Sequence, residues 1–254
     1  MIWPIIYNCN LKSSDMNELT HKQCVNFCSF IMLLSSSRKM SWFARGESDD
    51  NLSKHYNVNT SNPQLLAQIM FNIGAKGRLC LHNENGIDPD GISTDNFIKI
   101  CNLIKSALRN ADKGCSNRAC RMRKFISDNR CFVDDFLNDG SKLVSKYDNL
   151  SVYEKKEINI YYLYILHTIN SHKYNKISHF VSSSDDLDVA KDFARNLLIL
   201  GWIPSYSSLS YISSHKNEHY SRLCKNKHLP YINTPVYPEQ AEISLRCGIL
   251  SMFY

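Results

Sequence analysis

The texture of the chain changes twice along its length, and that limits what it can fold into. From Gln64 to Ser171 apolar residues recur mainly at helical spacing, while the flanking segments alternate like strands or break into turns. The pattern predicts an α+β fold, with β-rich ends and a mostly helical stretch over about residues 60–172.

The helical signals are local. Ser13-Ser14-Asp15 followed by Glu18 reads as a capped helix start, with apolar residues recurring to Leu34. Pro63 opens a helix from Gln64 to about Ile73. Asn83 to Gly91 is rich in turn formers and reads as loop. Ser93-Thr94-Asp95 then caps a helix whose Phe97, Ile98, Ile100, Cys101, Ile104 and Leu108 lie on the buried side. Two more helical patterns follow, near Arg118–Asn138 and Tyr153–Ser171, separated by Asp139-Gly140. Strands are expected at Ser41–Arg45, running into a turn at Gly46, at Ile177–Val181 and at Ala241–Leu245. Asp186 to Leu200 reads as helix, and Ser205 to Ser214 as loop or edge strand.

With 254 residues and 43% hydrophobic content, the chain can bury a core without covalent staples. Its ten cysteines therefore read as free thiols rather than a disulfide framework, and Cys24, Cys28 and Cys101 fall on apolar helical stripes. A net charge of +6 suits an anionic ligand or an acidic partner without choosing between a dinucleotide and a nucleic acid. No window reaches the roughly 18 apolar residues of a membrane span. Met1 to Asn10 shows no basic stretch followed by a long apolar run, so no Sec signal is expected.

Two segments carry the chemistry. In Phe180-Val181-Ser182-Ser183-Ser184 a strand ends in three hydroxyls, and Asp185-Asp186 then caps a helix whose Leu187, Ala190 and Phe193-Ala194 are expected to face inward. Taken alone, this is also what a plain helix cap looks like. In Pro238-Glu239-Gln240-Ala241-Glu242-Ile243-Ser244-Leu245, strand parity puts Gln240 and Glu242 on one face, with Ile243 and Leu245 on the other. Taken alone, that is also an ordinary polar edge strand.

Together the two segments resemble ADP-ribosyltransferase toxins of the cholera and heat-labile enterotoxin type. The first is similar to the family's aromatic–hydrophobic–Ser–Thr–Ser signature, the second to its Pro-x-x-Gln/Glu-x-Glu-Val/Ile-Ser stretch, including the Gly248-Ile249 that follows. Phe43-Ala44-Arg45-Gly46 is similar to the family's early aromatic-x-Arg-Gly signature. Its separation of 137 positions from Ser182 is longer than the enterotoxin pattern, which makes the helical stretch an insertion or enlarged lobe.

The resemblance implies one domain over 1–254, a split β-sandwich with a large helical lobe, holding NAD as substrate and transferring ADP-ribose to a side chain of a host protein. It implies that Glu242 holds the ribose hydroxyl and stabilises an oxocarbenium-like transition state, and that Ser182 orients Glu242. Arg45 would grip the pyrophosphate through its planar fork. Ser183 and Ser184 would join Arg45, Ser182 and Glu242 around the NAD, and no metal would be needed. In the family the residue two before the glutamate accompanies acceptor choice: glutamate there goes with arginine acceptors, glutamine with asparagine, cysteine or glutamine. Parity gives Gln240, whereas a β-bulge would bring Glu239 to the cleft, so the acceptor stays open. Tyr231 and Tyr237 are candidates for contact with nicotinamide or acceptor, or for packing alone. Without a Sec signal, the resemblance implies an effector or toxin delivered into a host cell by another route.

Two other readings stand beside it. An NAD glycohydrolase on the same fold would use water as the acceptor. A non-catalytic binding protein would use the basic cluster of Arg118, Arg121, Arg123 and Lys124, which also reads as a solvated or partner-facing helix side without the interleaved aromatics of single-strand binders. Cys115, Cys120 and Cys131 only approximate zinc-ligand spacing.

Overall fold

The computed structural model describes residues 3–7, 40–47, 77–110, 116–138, 140–169, 178–194, 197–204, 211–213 and 217–246. The helices expected at Ser13–Leu34 and Gln64–Ile73 lie outside them. Helices and strands are mixed, and the chain divides into two compact units. One comprises Met1–Asn72, Val181–Tyr211 and Gln240–Tyr254; the other comprises Ile73–Phe180 and Ile212–Glu239.

The strands are β1 (Trp3–Tyr7), β2 (Met40–Glu47), β3 (Phe180–Ser184), β4 (Leu197–Pro204), β5 (Tyr211–Ser213) and β6 (Glu242–Arg246), in the sheet order β1-β4-β2-β3-β6-β5, and the first unit is built on all of them but β5. β4 pairs antiparallel with β1 and β2, placing Trp202 opposite Trp3 on one side and Trp42 on the other. β2 pairs antiparallel with β3 through Ala44 and Ser184. β2 continues through Gly46 to Glu47 instead of turning at Gly46, and the helix expected over Asp186–Leu200 stops at Phe193. Leu197-Leu198-Ile199-Leu200-Gly201-Trp202-Ile203-Pro204 is a continuous apolar run, which periodicity cannot tell from a buried helix, and two flanking partners draw it into the sheet.

The short helix α6, numbered after the five that lie between Thr94 and Ile169, spans Leu187–Phe193 and starts where the Asp186 carboxylate accepts from the amides of Asp188 and Val189. Ala190 and Ala194, four apart, are buried together, and their backbone lies directly over Gly46. A Cβ on Gly46 would fall 2.0 Å from the Ala190 carbonyl oxygen. Gly46 is thus a close-approach glycine inside a strand.

The second unit contains helical residues 77–85 and helices α1 (Thr94–Asn110), α2 (Asn117–Asp128), α3 (Arg130–Asn138), α4 (Gly140–Asp148), α5 (Val152–Ile169) and α7 (Asn217–Asn226). α1 buries Phe97, Ile100, Cys101, Ile104 and Leu108, as its periodicity predicts, whereas Ile98, also expected on that side, is only half-buried, and Asn96 and Ala107 complete the buried face. α5 is buried on nearly every side, which is why its sequence shows so little amphipathic contrast. Its Tyr161 stacks on Tyr220 of α7, and Phe97 stacks on Tyr147 with ring centroids 3.9 Å apart. The buried Asn129 side chain accepts from the amides of Asn233 and Thr234 and donates to the carbonyls of Phe125 and Thr234. Its amide group is therefore paired at both ends, as burial requires. Among the described residues no helix is long and apolar enough to cross a membrane.

Candidate active site

A half-open cleft of about 350 Å³ lies in the first unit. β2 contributes Ala44 to Glu47, β3 contributes Ser182 to Ser184, α6 contributes Val189, Ala190 and Phe193, and the segment entering β6 adds Gln240 and Glu242. Arg45, the three serines, Gln240 and Glu242 come from three separated stretches of sequence and border one cavity because β2, β3 and β6 are consecutive in the sheet.

Arg45 spans two strands. Its Nη1 donates to the Ser182 carbonyl oxygen, while Nε and Nη2 donate to Glu47 Oε2 at 3.2 and 2.7 Å. Glu47 stands two residues along the same strand, hence on the same face. It was not among the residues singled out from sequence, although an Arg-x-Glu spacing within a strand signals such a pair.

Glu242 opens β6 and is partly exposed, while Ile243 and Leu245 are buried as parity predicts. The buried Ser244 donates its hydroxyl to Glu242 Oε1 at 2.8 Å, an orienting bond that the i, i+2 spacing could have suggested. The parity argument does not extend to Gln240. Pro238–Gln240 is a 3-10 turn, and Ala241 sits at φ 44°, so the strand begins only at Glu242. Gln240 nevertheless lines the cleft, whereas Glu239 pairs with Arg121 in the other unit.

The serines differ from one another. Ser184 is buried; its Oγ donates to the Gln240 carbonyl at 2.8 Å and accepts from the Asp186 amide at 3.0 Å, tying β3, the 3-10 turn and the start of α6 together. Ser182 gives its carbonyl to Arg45 and is the most open of the three. Ser183 Oγ is buried and has no hydrogen-bond partner among the described residues, so its hydroxyl is not what this residue presents to a ligand. Phe193, expected to face inward, is 56% exposed and borders the cleft. The face of α6 carrying Ala190 and Ala194 takes the contact with Gly46, and Phe193 is turned away from it, about 60° around the helix from Ala190 and about 100° from Ala194.

The other candidates lie in the helical unit. Tyr237 carries the Arg121 guanidinium over its ring at 5.1 Å, and Tyr231 is half-buried. In the basic cluster Arg118 donates to the Ile169 carbonyl, Arg121 pairs with Glu239, Arg123 donates to Cys120 Sγ and Lys124 pairs with Asp128. Cys120 and Cys131 are exposed free thiols, and among the described residues no group of three or more His, Cys, Asp or Glu could hold a metal ion.

No protein-family model matches this chain, and neither a curated protein nor a solved structure matches it.

Proposed function

We propose that the cleft binds NAD and that the protein transfers its ADP-ribose to a side chain of another protein, on a fold related to the split β-sandwich of ADP-ribosyltransferase toxins. The observation that carries this reading is the gathering of Arg45, Ser182, Ser184, Gln240 and Glu242 around one cleft. The same residues were singled out from sequence resemblance alone.

The charges suit the chemistry. One guanidinium and two carboxylates border the cleft, which fits a ligand with an anionic linker and a cationic pyridinium end. Glu242, held by Ser244, would face the ribose and stabilise positive charge as the bond to nicotinamide breaks. Nicotinamide leaves as a neutral molecule carrying the bonding electrons, and the acceptor nucleophile, having lost its proton, closes on the ribose carbon. Arg45 would take a pyrophosphate oxygen. With Gln240 rather than Glu239 at the cleft, the resemblance favours amide or thiol acceptors over arginine. Import into a host cell is part of the same reading and rests on the resemblance alone.

The test uses NAD labelled in the adenylate half, incubated with the full chain and a cell lysate. Label should become protein-bound, and Glu242→Gln should lower transfer by about 10²–10³-fold with an unchanged far-UV spectrum. Undiminished transfer by that variant would remove Glu242 from the reaction. Label released only as free ADP-ribose would instead favour the glycohydrolase.

A further inference from the structure

We propose that Glu47 is a positioning residue, which holds the Arg45 guanidinium in place so that it can bind a phosphate group in the cleft. The inference rests on reading the cleft as an NAD site. Arg45 and Glu47 share one face of β2, with side chains 23% and 12% exposed, so the pair is largely withdrawn from water. Three of the five N–H groups of a guanidinium are engaged here: two on Glu47 Oε2 and one on the Ser182 carbonyl. One N–H on Nη1 and one on Nη2 remain without a partner among the described residues.

The arrangement is anchored on two strands. Glu47 occupies the edge formed by Nε and Nη2, and the β3 carbonyl takes Nη1. A long, flexible side chain is thereby fixed before any ligand arrives, and the ordering cost of binding falls. A competitor for the ligand would instead cover the terminal nitrogens, and Glu47 leaves an N–H open on each. Glu47 also lowers the net charge beside the phosphate, so the grip is one of geometry more than of bare attraction.

The test compares wild type, Glu47→Ala and Glu47→Gln as full chains. In ¹⁵N NMR the Arg45 Nε–H should be protected from exchange in the wild type, lost in Glu47→Ala and recovered in Glu47→Gln, whose amide oxygen still accepts. In steady-state NAD turnover Glu47→Ala should raise KM on the order of tenfold, the scale of a group acting through a ligand-touching partner, with a smaller change in kcat. Glu47→Gln should restore most of that loss. A lower KM in Glu47→Ala would make Glu47 a competitor and overturn the proposal, as would an unchanged Nε–H signal. If Glu47→Ala fails to fold, Glu47→Met, which fills the space without accepting a hydrogen bond, replaces it. A wild type that turns over no NAD defeats the NAD reading alone. Titration with inorganic pyrophosphate then decides the role of Glu47: weaker binding by the alanine variant supports it, and equal binding overturns it.

Discussion

Replacing Gly46 by alanine should damage the unit that holds the cleft. The added Cβ would lie 2.0 Å from the Ala190 carbonyl oxygen, 2.3 Å from the Ala194 nitrogen and 2.7 Å from the Phe193 carbonyl carbon. All three are backbone atoms, so no rotamer change can make room. The methyl would also intrude on the 3.1 Å hydrogen bond from the Ala194 amide to the Ala190 carbonyl, which closes α6. To restore ordinary 3.4 Å contact the helix end must retreat by about 1.4 Å from β2. Overpacking of this kind costs about 1–3 kcal/mol, and more where the backbone itself must move. For a chain of this length that corresponds to a fall in melting temperature on the order of 2–12 °C. Differential scanning calorimetry measures it directly. Because Phe193 and Ala190 border the cleft, the proposed turnover of NAD should show a KM that rises in parallel. A Gly46→Ala protein that melts within about one degree of wild type would refute the close-approach argument.

Ser183→Ala should be neutral or stabilising, by up to about 1 kcal/mol in urea denaturation, because it removes a buried hydroxyl with no partner; a clear loss of stability would mean that the hydroxyl has one. Glu154 is held at about 2, against an ordinary 4.5, chiefly by its hydrogen bond with Lys227 and then by the Ser151 backbone amide. A lowered folded-state value stabilises fully above pH 4.5 and stops doing so as pH falls towards 2. Glu154→Gln should therefore cost about 1 kcal/mol at pH 7, after allowance for solvent screening, and the gap from wild type should narrow below pH 4.5; a gap constant with pH would sink the assignment. Burial pushes the Cys101 thiol up to about 12 and raises that of Cys224 as well. Iodoacetamide mapping of the native protein should accordingly label the exposed Cys120 and Cys131 well before either, and equal labelling would contradict the burial.

The parts of the fold that could be read from sequence are those where one local rule acts alone. The α1 stripe, the Ile243 and Leu245 face of β6 and the cap at Asp186 follow from spacing and side-chain chemistry. β4 escaped because its apolar run carries no period of its own, and its neighbours in the sheet decide its state. α7 escaped because Asn217–Asn226 is polar, and what anchors it is a buried Tyr220 and Cys224 whose partners lie far away in sequence. At the cleft, Arg45 and Glu242 were legible as types in a pattern. Glu47 was hidden by the turn expected at Gly46, which ends the strand before it, and Ser244 by its own ordinary serine chemistry, although both stand two residues from a site residue on the same strand. The exposure of Phe193 depends on the side of α6 that Gly46 admits. The left-handed Ala241 is a different matter, because alanine gives no warning of a positive φ.

The adjacency of β2, β3 and β6 has a consequence for how this chain tolerates growth. Neighbouring strands stand about 4.8 Å apart, so the backbones carrying Arg45 and Glu242 are held about 10 Å apart by the sheet's own hydrogen-bond lattice. That interval is indifferent to the length of chain between the strands. The 137 positions from Arg45 to Ser182 can contract or lengthen without altering it, provided that β2 and β3 still pair. Distance along the polymer and distance across the cleft are set independently, and the second is graduated in strands.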